Sequence, residues 1–153
     1  EQPLPGASGM FQERLRERIA WVRLQDPAAR HYALAGSALQ RQDYLRAAIL
    51  ALEGFLAGLV WSDKGDPYNY KAREQAKARF LEDDKTTALP DVRDAFKALN
   101  GLRNALAHGT PPETWLAMVS RGRKRPLREL LGDSDELHGA VGKCIETLRG
   151  WRP

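Results

Sequence analysis

Three neighbouring side chains, Arg103, Asn104 and His108, have the types and spacing to do chemistry; they lie in the string LRNALAHG, residues 102–109. An arginine can neutralise a phosphate, especially the equatorial oxygens that gain charge during transfer at phosphorus. A histidine can move a proton near neutral pH. On RNA such a pair needs no metal. A base removes the 2′ proton, the 2′ oxygen attacks phosphorus in line, and the departing 5′ oxygen is protonated. The products are a 2′,3′-cyclic phosphate and a 5′-hydroxyl, and DNA, which lacks the nucleophile, should survive. One histidine is too few for two proton transfers. A two-fold dimer that packs two such helix ends together supplies two arginines and two histidines to one phosphate.

These residues must be positioned by a helix expected over 91–108, with Asp91 as N-cap and Asp94 three residues on. Val92, Phe96, Leu99 and Leu106 recur at helical spacing, and Gly109, Pro111 and Pro112 stop the pattern. At roughly 100° per residue, Arg103 falls in the sector of Val92, Phe96 and Leu99, where a hydrophobe is expected, and His108 lies about 140° further round. A guanidinium keeps its charge, so its head needs an opening or a polar pocket. Ala105 and Ala107 leave room beside this polar seam for a second helix or a ligand. The spacing alone leaves a structural alternative open. Arg103 then snorkels, Asn104 bonds to a neighbouring backbone, and His108 complements the helix dipole.

Other chemistries find little support. His31, His108 and His138 stand apart in sequence, without the spacing of a metal site, so no metal is expected. His31 and His138 read as packing or surface residues. There is no glycine-rich phosphate loop, G-x-S-x-G or EF-hand pattern. The chain of 153 residues suits one domain with a real core; 24 basic against 20 acidic side chains give a small positive excess that leans towards anionic partners. One cysteine excludes an internal disulfide framework and fits a reducing, cytoplasmic setting. No uninterrupted apolar run of membrane-spanning length and no signal-peptide pattern is evident.

The rest of the chain reads as helices with short connections: an all-α bundle of about five to seven helices, domain 10–150, entered through a linker over 1–9 that carries Pro3, Pro5, Gly6 and Gly9. An amphipathic helix is expected over 10–24. A long helical stretch follows over 28–60, with Asp26 and Pro27 at its start and a break near Gly36 and Ser37. Gly54 and Gly58 give that stretch a smooth stripe for a close neighbour. Glu53 borders its apolar face, exposed or paired with a site arginine. Residues 62–70 read as a loop and 71–83 as a polar helix buried through Ala72, Ala76 and Phe80. Its Lys71, Arg73, Lys77 and Arg79 read as a solvated surface or, alternatively, a cleft lining. A short helix is expected over 112–120. The basic run Arg121, Arg123, Lys124, Arg125 and Arg128 follows, either a solubilising loop or a contact for RNA backbone. A helical turn near Leu130 and a last helix capped by Asp133 complete the chain, with Cys144 as a core hydrophobe. No β-like alternation of useful length appears.

The string LRNALAHG resembles the signature of the HEPN domains, an Arg, a following polar residue and a His in an R-x4-6-H pattern late in a bundle helix. The two strong helical runs, 38–60 and 91–108, and Gly109 after the histidine agree with it. The connecting segment with Tyr68, Asn69 and Tyr70, and the C-terminal helices, resemble the HEPN half of CRISPR-associated proteins that join a CARF sensor to a HEPN ribonuclease. The resemblance spans about residues 10–150. It implies a HEPN-like fold and a homodimer with one composite, metal-independent site that cleaves single-stranded RNA in antiviral defence. Arg103 would clamp phosphate, Asn104 organise the site, and His108 transfer a proton or stabilise the transition state. No cofactor is implied at the site; a cyclic oligoadenylate would act through a CARF domain, expected upstream of this chain. Competing expectations are a catalytically silent dimerisation or RNA-binding module, or one component of a toxin–antitoxin pair.

Overall fold

In the computed structural model, residues 7–82, 90–109, 116–118 and 124–151 are described. Among them six α-helices of at least seven residues form an all-α bundle: α1 (Ala7–Ile19), α2 (Pro27–Gln40), α3 (Tyr44–Ser62), α4 (Tyr70–Glu82), α5 (Pro90–His108) and α7 (Ser134–Gly150). A 3₁₀ turn (Ala20–Arg23), a short α6 (Leu127–Leu130) and a ribbon of β1 (Leu116–Met118) and β2 (Lys124–Pro126) complete the elements. The first helix starts at Ala7, so the last residues of the expected linker are helical and Gly9 lies within the helix.

The expected break near Gly36 and Ser37 is not there. Gly36 stays helical, because its neighbours Ala35 and Ala38 are fully buried and packing outweighs a propensity cost of about 1 kcal/mol. The chain instead turns at Gln42, whose φ is 57°, and Asp43 restarts it: the Asp43 Oδ1 accepts from the Arg46 backbone N–H at 3.1 Å. At the start of α2, Asp26 Oδ1 accepts from the Ala28 N–H at 2.8 Å, with Pro27 in the first turn as expected.

The α2–α3 hairpin closes on an alanine seam of Ala35, Ala38, Ala47, Ala48 and Ala51, all fully buried. The two helices are close enough that a Cβ at Gly54 would stand 2.9 Å from the His31 Cβ and 3.3 Å from the Ala28 carbonyl oxygen. Gly58 makes the same approach more loosely, a Cβ there standing 3.4 Å from the Ala28 Cβ. Averaged over its length α3 is apolar enough to cross a membrane, but it is the core helix of the bundle, packed by α2, α4, α5 and α7.

The next helix starts at Pro90, so Asp91 is not the cap but a first-turn acid, still favourable beside the helix dipole. It packs between α3 and α7. At its early end Phe96 meets Phe55 and Phe80 at ring-centroid distances of 5.5 and 5.4 Å, and Trp151 closes the cluster 5.3 Å from Phe55. Asp133 caps α7 through the Asp135 and Glu136 N–H groups at 3.1 and 3.0 Å, and Cys144 is buried on its inner face.

The helix expected over 112–120 is replaced, where it is described, by a strand. Leu116, Ala117 and Met118 pair antiparallel with Pro126, Arg125 and Lys124. Residues 110–115 and 119–123 lie outside the described residues. A short apolar run fits either period, and the basic segment leading to Pro126 offers an extended partner instead of a helical one. β1 rests on α5 and α7.

Candidate functional site at the end of α5

Periodicity placed Arg103 on the apolar stripe; the structure shows how the helix avoids burying it. Early in α5 the buried positions are Val92, Ala95, Phe96 and Leu99; later they are Ala98, Gly101, Leu102 and Ala105. At roughly 100° per residue, the centre of the stripe moves by about 120° between these sets. Arg103, on the side of the early set, is half-buried, and Leu106, expected in the core, is 42% exposed.

The guanidinium is held by the adjacent carboxamide. Arg103 Nε and Nη2 both donate to Asn104 Oδ1, at 3.1 and 2.8 Å. This bonding is the notable property of the site: a neutral amide orients Arg103, and among the described residues no carboxylate pairs with it. A half-buried, oriented and uncompensated guanidinium is prepared for an anion from outside.

His108 is exposed, as are Leu106, Ala107 and Gly109. Gly109 ends the helix in the left-handed region, φ 65°, its N–H donating to the Ala105 carbonyl at 2.9 Å. The structure thus brings Arg103 and Asn104 into contact and leaves His108 free-standing a turn further on. In one copy the arginine and histidine are separated by about 7.5 Å along the axis and about 140° around it, on ordinary helix geometry.

Of the expected RNA-contacting run, Arg121 and Arg123 lie outside the described residues, and Lys124 and Arg128 are described in backbone only. Arg125 is described fully and is engaged: it pairs with Glu136 of α7 and with Glu129, the latter at 3.4 Å. Glu53 does not pair with the candidate site. Its partner is Arg73 of α4, and Arg79 pairs with Asp63 at 2.7 Å, so these α4 bases tie the bundle together. His31 Nδ1 lies 2.8 Å from the Pro27 carbonyl oxygen, and His138 stands edge-on to Tyr44 at 6.3 Å, both packing roles as expected. No cluster of potential metal ligands occurs among the described residues.

A second feature gives no signal in the spacing of the sequence. A cavity of about 190 Å³ opens between α2, the later half of α3 and the end of α7, lined by Asp26, Tyr32, Phe55, Trp61, Arg149 and Trp151 among others. Phe55 also touches Phe96, which stands early on α5, well before His108, and no α5 residue is among those that line the cavity. Its lining comes from separate stretches of chain, and Asp26 reads in sequence only as a helix cap.

No protein-family model, curated protein or solved structure matches the chain.

Proposed function

We propose that the chain is a metal-independent endoribonuclease of HEPN type, acting on single-stranded RNA at a site shared by two copies. The observation that carries this reading is the Arg103 guanidinium, oriented by Asn104 and paired with no carboxylate among the described residues, on the same helix end as an exposed His108. Its resemblance to the R-x4-6-H signature gives the pair a chemistry. Because one copy turns the arginine and histidine apart, two copies related by a two-fold axis are needed to surround one phosphate.

In the proposed mechanism the two Arg103 groups hold the phosphate oxygens, which gain charge in the transition state. One neutral His108 accepts the 2′-hydroxyl proton as the 2′ oxygen attacks phosphorus. The imidazolium of the second copy gives its proton to the departing 5′ oxygen. The phosphodiester bond to the 5′ oxygen breaks as the bond to the 2′ oxygen forms. The ribbon and α6, which carry Lys124, Arg125 and Arg128, pack against α5 and would flank the bound strand.

The test is end-group analysis of single-stranded RNA incubated with the protein in EDTA. Cleavage leaving 2′,3′-cyclic phosphate and 5′-hydroxyl ends, with a 2′-deoxy linkage resistant at its position, is the expected result. A requirement for divalent metal or cutting at the 2′-deoxy linkage would overturn the mechanism. RNA retained with salt-sensitive affinity but no new ends would identify a silent binding module.

A further inference from the structure

We infer that the cavity between α2, α3 and the end of α7 is a binding site for a small zwitterion, an ammonium compound of amino-acid or betaine type. It is lined by Asp26, half-buried and fixed in place by its bond to the Ala28 N–H, and by Arg149, exposed on the last turn of α7. Among the described residues neither has an ion-pair partner, although both face one cavity. Two opposite charges left unpaired across a small opening match a ligand that carries both signs. A simple cation would leave the arginine unmatched, and a simple anion would meet the carboxylate.

The walls fit the same ligand. Tyr32, Phe55, Trp61 and Trp151 line the cavity, and aromatic surfaces attract an alkylammonium group through their ring quadrupoles. Tyr32 is 8% exposed and lines the cavity, and its hydroxyl makes no hydrogen bond to the described residues. That hydroxyl is a donor for the ligand's acid group. Burial raises its pKa, the Asp26 carboxylate raises it further and Arg149 opposes, so it stays protonated. The cavity volume, about 190 Å³, is slightly above the roughly 150 Å³ that holds a benzene ring, so the ligand has on the order of ten heavy atoms or fewer.

The experiment is calorimetric titration of the protein with glycine betaine, L-alanine, tetramethylammonium and acetate as separate probes. Betaine or alanine is expected to bind about tenfold or more tightly than tetramethylammonium, and acetate not to bind measurably. Asp26→Asn keeps a good helix cap while removing the charge, and is expected to weaken the zwitterion by about tenfold. Arg149→Gln should reduce it to the level of tetramethylammonium. Absence of binding by both zwitterions at millimolar concentration, acetate binding as tightly as they do, or unchanged affinity in Asp26→Asn would each overturn the assignment. None of these readouts depends on RNA cleavage.

Discussion

Arg103 and Arg125 are both half-buried arginines in the C-terminal half of the chain, but their surroundings give them different chemistry. Arg125 belongs to the densest basic run in the sequence and is the obvious candidate for an anionic partner; Glu129 and Glu136 claim its charge. Arg103 lies on the amphipathic helix α5, outside that run, and Asn104 holds it without neutralising it. What an arginine can offer a phosphate depends on what already faces it. A carboxylate partner must be displaced before a phosphate can bind, whereas an amide partner orients the fork and leaves its charge available.

That difference can be broken in graded ways. Arg103→Ala or His108→Ala is expected to lower single-turnover RNA cleavage by about 10²–10⁴-fold with an unchanged circular dichroism spectrum, whereas Arg125→Ala lowers it by less than about tenfold. Equal losses in Arg103→Ala and Arg125→Ala would remove the distinction. Asn104→Asp turns the orienting amide into a neutralising carboxylate. About 10–100-fold loss of cleavage is expected, without loss of thermal stability. In the opposite direction, Glu129→Gln with Glu136→Gln releases Arg125. RNA affinity, read by fluorescence anisotropy, should rise by about two- to fivefold and its dependence on salt steepen by about one charge. The smallest effect concerns the backbone beneath the site. A Cβ at Gly109 would meet nothing within 4 Å, so Gly109→Ala should cost only the left-handed conformation, about 1 kcal/mol in urea denaturation.

The helices were legible because long periodic runs and strong stops agree. Phe96 and Leu99 mark the core side of α5, Gly109 ends it, and Asp133 starts α7 where a cap was expected. Legibility failed where the deciding contact was tertiary or the element very short. Leu106 fits the helical period yet is exposed, because the buried stripe moves round α5 between its early and later turns. Gly36 looked like a break, but the seam of buried alanines around it carries the helix through. A three-residue strand at Leu116–Met118 gives too little pattern to read. At the candidate site the residue types were visible, but the Arg103–Asn104 bond was not, since neighbours one apart on a helix do not ordinarily face each other. The cavity was hidden altogether, its charges at Asp26 and Arg149 standing at opposite ends of the sequence.

The account depends on two α5 ends converging. Cysteine cross-linking of His108→Cys in the protein tests this most directly, because the native Cys144 is buried and should stay silent. Rapid formation of a covalent dimer through position 108, and none from Lys64→Cys on an exposed turn far along the chain, is the predicted result. Failure of position 108 to cross-link, where the unsubstituted protein cleaves RNA under the same conditions, would contradict a shared site.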